Sequence, residues 1–117
     1  VVSVHTMLTE ATRGLVGQAE LAAMTPSAIL VHTSRGGLID EPALIAALRG
    51  NRIRGAALDV FQQEPLPPGH PLAALSNTLL TPHLGYVTAG VMEIFYRDIV
   101  EDVAAYCAGS PIRLLTP

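Results

Sequence analysis

Residues 28–61 read AILVHTSRGGLIDEPALIAALRGNRIRGAALDVF. The stretch opens on a continuous apolar run, Ala28–His32, which predicts a buried strand. Thr33-Ser34-Arg35-Gly36-Gly37 follows as a loop. Asp40 then stands as an N-cap, with Pro42 tolerated in the first turn. The spacing predicts a helix over Glu41–Arg49 that buries Leu44, Ile45 and Leu48. Arg49 falls in its last turn, and Gly50 is expected as the residue that ends it. Ala56–Phe61 is apolar again and predicts another strand. Strand, helix and strand with unbroken apolar strands describe a parallel sheet covered on both faces.

Upstream, Val1–Val4 is β-branched and predicts a further buried strand. Thr6–Gly14 is polar and turn-rich. Gln18–Met24 predicts a short helix with Leu21 and Met24 on one face and Glu20 near its positive end. Thr25-Pro26-Ser27 ends it. Downstream, Gln62–Gly69 carries three prolines and is a loop. Pro71–Leu75 suits one helical turn. Thr78–Thr81 predicts a fourth strand, stopped by Pro82.

Thr88 caps a last, longest helix that runs to about Ala108 and ends at Gly109. Met92, Tyr96, Ile99, Val103 and Tyr106 recur at helical spacing. Glu93 with Arg97, and Arg97 with Glu101, are placed for i,i+4 ion pairs. This helix is either an ordinary packing helix or a connector that crosses to another domain. The sequence contains no internal repeat and no low-complexity tract.

The chain has 117 residues, half of them hydrophobic, and a formal charge of −3. Only 15% are charged, against roughly 25% in an average soluble domain. All seven cations are arginine. The apolar content excludes disorder. The acidic excess argues against a nucleic-acid partner. One cysteine, Cys107, excludes a disulfide framework. The four histidines lack metal-ligand spacing, so no metal site is expected. No membrane span is present. The chain begins inside an apolar run, so it is expected to be a piece of a longer protein. Its first strand would then be an exposed edge, prone to aggregation or strand exchange.

Ligands of parallel sheets bind at the carboxyl ends of the strands. Here those ends bring His5 and Thr6, then Thr33, Ser34 and Arg35, then Asp59 and Glu64, then His83. An arginine fork suits a carboxylate. A histidine suits proton transfer, and a carboxylate beside it would orient it. Each residue has a plainer role open to it. Arg35 could cap a turn, Glu64 could be a solvated loop charge, and His83 could be structural. Asp59 lies within an apolar strand, where an unpartnered carboxylate is costly. His32 and His70 read as structural or surface residues. No activated serine, cysteine or lysine accompanies them.

The blocks HTMLTEATRGLVG, AILVHTSRGGLIDEPALIAAL, GAALDVFQQEPLPPGHPL and NTLLTPHLG resemble the C-terminal part of the D-isomer-specific 2-hydroxyacid dehydrogenases. The resemblance runs to about Gly85 and more weakly along the last helix. It implies half of a doubly wound, Rossmann-type α/β sheet of four parallel strands with a long C-terminal helix. Residues 1–87 would be the C-terminal half of the dinucleotide-binding domain. Residues 88–117 would return towards a substrate domain. The implied reaction is hydride transfer between NAD(P)H and a 2-oxo or D-2-hydroxy acid. Arg35, Glu64 and His83 take the catalytic positions: substrate anchor, partner carboxylate and acid/base. His5, Thr6, Thr33, Ser34, Arg35, Asp59, His83 and Gly85 take positions lining the cofactor, NAD or NADP with NAD favoured.

The resemblance also implies a cytoplasmic homodimer. Gly85-Tyr86 departs from the commoner pair at that point. The G-x-G-x-x-G phosphate loop is not found; Gly14 and Gly17 do not satisfy its spacing. The isolated segment is therefore expected to be inactive. A non-catalytic NAD-sensing binding protein, of the co-repressor kind, is the alternative on the same fold.

Overall fold

A computed structural model describes residues 1–115; the last two residues of the expected C-terminal tail lie outside that range. The chain divides into two compact units, residues 1–84 and Gly85 onward.

The first unit holds four strands: β1 (Val2–Val4), β2 (Ile29–His32), β3 (Gly55–Leu58) and β4 (Thr78–Leu80). All neighbours are parallel, and the order in the sheet is β1-β2-β3-β4. This is the expected α/β architecture. The register sets Val4 beside His32, His32 beside Leu58, and Leu58 beside Leu80. The carboxyl ends of all four strands therefore lie along one edge.

Between the strands run α1 (Gln18–Ala23) and α2 (Glu41–Arg49). The Asp40 carboxylate accepts the Ala43 N–H at 3.0 Å, which is the expected N-cap. The core joins Leu21 of α1, Leu44 and Leu48 of α2, Leu30 and Leu58 of the sheet, and Leu38, Ile53 and Leu72 from the connections. Short 3-10 turns occupy Glu10–Thr12, Gly36–Leu38 and Pro71–Ala74.

Several expectations are corrected. Burial on both faces is incomplete: in the central strands Ile29, Val31 and Ala57 are only half-buried, and at the edges Val2 and Leu79 are exposed. An edge strand has one neighbour and less cover. The third strand stops at Leu58, so Asp59 follows it instead of lying within it. No neighbour extends further there, because β2 has ended at His32 and β4 ends at Leu80. At the end of α2, Gly50 has a φ of −80° and is the cap itself. Asn51 takes the left-handed position with φ 50°. The N–H of Arg52 returns to the Ala47 carbonyl at 2.8 Å, closing the turn.

The second unit is built on α3 (Ala89–Cys107), capped by Thr88 and closed by Gly109 at φ 73°. None of the residues of α3 is buried. Tyr96, Ile99, Val103 and Tyr106, expected on a common face, are each more than half exposed. Arg97 pairs with Asp98 at 2.9 Å instead of with Glu93 or Glu101. Glu101 and Asp102 are instead held by Arg113, each at 2.6 Å.

Candidate active site

Arg35 sits one turn past the end of β2, on a loop fixed at three points. The Ser34 hydroxyl donates to the Thr6 carbonyl at 2.6 Å, tying the β2 loop to the β1 loop. The Arg35 carbonyl accepts from the Leu38 N–H at 3.0 Å and from His32 Nε2 at 2.9 Å. Gly36 lies against the Phe61 backbone so closely that any Cβ would overlap the Phe61 carbonyl. Only glycine allows that approach. The Arg35 guanidinium bends back to the Ser34 carbonyl at 2.7 Å.

The loop after β3 brings Glu64 to this point. One Glu64 oxygen accepts the Phe61 N–H at 2.9 Å; the other faces His83 Nδ1 at 2.7 Å. Partial burial pushes the Glu64 carboxyl up. The His83 and Phe61 hydrogen bonds and the nearby charges of His83 and Arg35 outweigh it, so the group is held below the usual carboxylate range.

His83 itself has a φ of 57°, a left-handed conformation for a residue with a Cβ. Asp59 holds this turn. It is buried, and one carboxylate oxygen accepts both the Thr81 hydroxyl at 2.5 Å and the Leu84 N–H at 2.8 Å. These residues flank His83 on either side. The carboxylate thus has the partners that burial requires.

Two cavities meet at the Arg35 loop. One of about 700 Å³ is lined by Arg13, Arg35, Gly36, Phe61, Glu64 and His83, among others. Another of about 440 Å³ is lined by His5, Thr6, Met7, Leu8, Ser34 and Arg35. Arg35 lines both. Arg35, Glu64 and His83 are therefore brought together, and His5, Thr6, Ser34 and Arg35 share the adjoining wall. Thr33 lies on the same loop, exposed. Gly85 begins the second unit. Among the described residues, no group of three His, Cys, Asp or Glu side chains is placed to hold a metal ion, and no helix is long and apolar enough to cross a membrane.

Sequence reasoning missed three supports of this site: the Phe61 N–H, the Gly36–Phe61 approach, and the Thr81–Asp59 bond. The paired glycines after Arg35 were the one local signal.

Chemically, an imidazole held by a carboxylate and set beside a guanidinium can move a proton at a group next to a bound anion. The family description "D-isomer specific 2-hydroxyacid dehydrogenase, NAD binding domain" matches residues 1–85. The chain belongs to this family. The chain is 43% identical over 109 residues to a glyoxylate reductase of Aeropyrum pernix, covering 93% of this chain and 32% of that protein. Its fold matches D-lactate dehydrogenase with NAD+ from Lactobacillus jensenii with a TM-score of 0.81 and 29% identity, covering 98% of this chain and 38% of that one. It also matches a D-isomer specific 2-hydroxyacid dehydrogenase from Xanthobacter autotrophicus Py2 in complex with NADPH and MES. There the TM-score is 0.74 and the identity 41%, covering 99% of this chain and 47% of that one. The chain spans about a third of the length of the curated relatives it matches.

Proposed function

We propose that this chain carries the catalytic edge of an NAD(P)-dependent D-2-hydroxyacid dehydrogenase. Residues 1–87 form the C-terminal half of its dinucleotide-binding domain, and residues 88–117 run towards the substrate domain. The observation that carries the proposal is the 2.7 Å contact of His83 with Glu64, on a cavity that Arg35 also lines.

In this reading Arg35 grips the carboxylate of a small 2-oxo acid with its guanidinium fork. His83 presents Nε2 to the 2-oxo oxygen. Glu64, bonded to Nδ1, fixes the ring's tautomer and orientation. As hydride adds to C2, the C=O π pair moves onto oxygen, and that oxygen takes the proton from His83. The product is the D-2-hydroxy acid, and the oxidation runs the same steps in reverse. NADH or NADPH, when bound, supplies the hydride.

The cavity beside the Arg35 loop suits such a cofactor, since it adjoins the catalytic cavity and has a polar wall. His5, Thr6 and Ser34, which line it, would hold the cofactor there, and the family resemblance adds Thr33 to them and assigns Arg35, Asp59, His83 and Gly85 to the cofactor as well. NAD is favoured over NADP, and the setting is a cytoplasmic homodimer. These last features rest on the family resemblance. The test is NADH and NADPH oxidation by the full-length protein with glyoxylate, hydroxypyruvate and pyruvate. Absence of turnover, with NADH binding retained, would replace this reading with the NAD-sensing one.

A further inference from the structure

We propose that His32 is a positioning residue for Arg35. This rests on the reading of Arg35 as the substrate anchor. His32 is the last residue of β2 and is 1% exposed. It shares a small void with Leu44, Leu58, Phe61 and Leu72, and with Glu41 at its rim. Its Nε2 lies 2.9 Å from the Arg35 carbonyl. Facing a carbonyl, that nitrogen must carry the proton and donate. Its Nδ1 is buried without a hydrogen-bond partner among the described residues. Burial accordingly holds the imidazole below its usual pKa, against the Arg35 hydrogen bond, and keeps it neutral.

An orphaned buried acceptor is unfavourable. Leucine would fill these largely apolar surroundings without one. What imidazole adds here is the bond to Arg35. That bond matters because Arg35 also leans on its own loop, through the Ser34 carbonyl. The direction of the guanidinium therefore follows the backbone at residues 34–36. Ser34 pins that backbone on the β1 side, Gly36 seats it on Phe61, and His32 holds it from beneath.

The test uses steady-state kinetics of the full-length protein. His32→Leu is expected to raise KM for the 2-oxo acid about tenfold or more, with KM for NADH unchanged and cooperative melting retained. His32→Gln, whose side-chain nitrogen reaches the same carbonyl, is expected to restore KM to within about twofold of the wild type. Unchanged KM in His32→Leu, with Arg35→Gln impaired, overturns this inference alone. Unchanged KM in Arg35→Gln overturns the anchor reading and this inference with it. Nitrogen NMR of the wild-type imidazole decides independently of whether the variants fold. An Nε2–H tautomer supports the proposal, and an Nδ1–H tautomer overturns it.

Discussion

Gly36 and Phe61 meet backbone to backbone, with a Cβ position on Gly36 only 2.6 Å from the Gln62 nitrogen and overlapping the Phe61 carbonyl. Two loops from different strands are thereby joined at the point between Arg35 and Glu64. Gly36→Ala should cost about 4 kcal/mol or more, because the obstruction is backbone and cannot rotate away. Chemical denaturation checks this. A variant within 1 kcal/mol of the wild type, roughly the cost of an ordinary substitution, would mean that the two loops separate easily.

Asp59 should behave as a brace for the His83 turn. Asp59→Ala leaves the Thr81 hydroxyl and the Leu84 N–H without their shared acceptor. A loss of about 2–4 kcal/mol is expected. Asp59→Asn keeps one oxygen in place and should lose less. Equal losses in the two variants would show that charge, not geometry, is what matters there.

His83→Ala in the full-length protein should lower kcat by about 10²–10⁴-fold, the usual range for a lost acid/base. NADH affinity should change little. Fluorescence titration of NADH beside turnover measurements separates the two quantities. Turnover close to wild type would remove His83 from the chemistry.

Glu64 ties pH to stability. Its folded-state pKa lies below the ordinary value, so its ionised form is favoured in the fold. That contribution is fully present above the unfolded carboxylate pKa of about 4.3. It disappears as pH falls through the lower folded value. The stability difference between wild type and Glu64→Gln should therefore shrink between pH 7 and pH 3. Thermal melts at both values test it, and a constant difference argues against the linkage.

His32 should leave a separate signature. Its folded pKa is also depressed, so the unfolded chain takes up the proton first. The stabilisation is present above about pH 6.5, the unfolded histidine value, and declines as pH falls below it. His32→Gln does not titrate, so its stability should vary less between pH 7 and pH 5. Matching slopes for variant and wild type would contradict the burial argument.

The sheet was readable because apolar runs such as Ala28–His32 are unbroken and helices separate them, which fixes both parallel pairing and the edge that carries the site. Asp40 was readable because capping is local. Glu64 was harder: topology placed it on the site's edge, but a carboxylate in a proline-rich loop looks like any solvated charge, and only the family resemblance made it the partner of His83. The partners of Asp59 lie 22 and 25 positions away and leave no local trace. Periodicity grouped Tyr96, Ile99, Val103 and Tyr106 on one helix face. It says which residues share a face, not what that face meets. Arg97 shows the same limit, since helical spacing allows a pair with Glu93 or Glu101 but does not require one.

The four strands stand in the sheet in the order in which they occur in the chain. During synthesis, each new strand can therefore dock beside the one made just before it, without waiting for a later segment to be inserted between them. The last strand delivers His83. In the proposed mechanism, the anchor Arg35 and the partner carboxylate Glu64 would then be in place before β4 delivers the proton donor His83. Docking of β4 beside β3 would then bring the last of the three proposed catalytic side chains to the edge that already carries the other two.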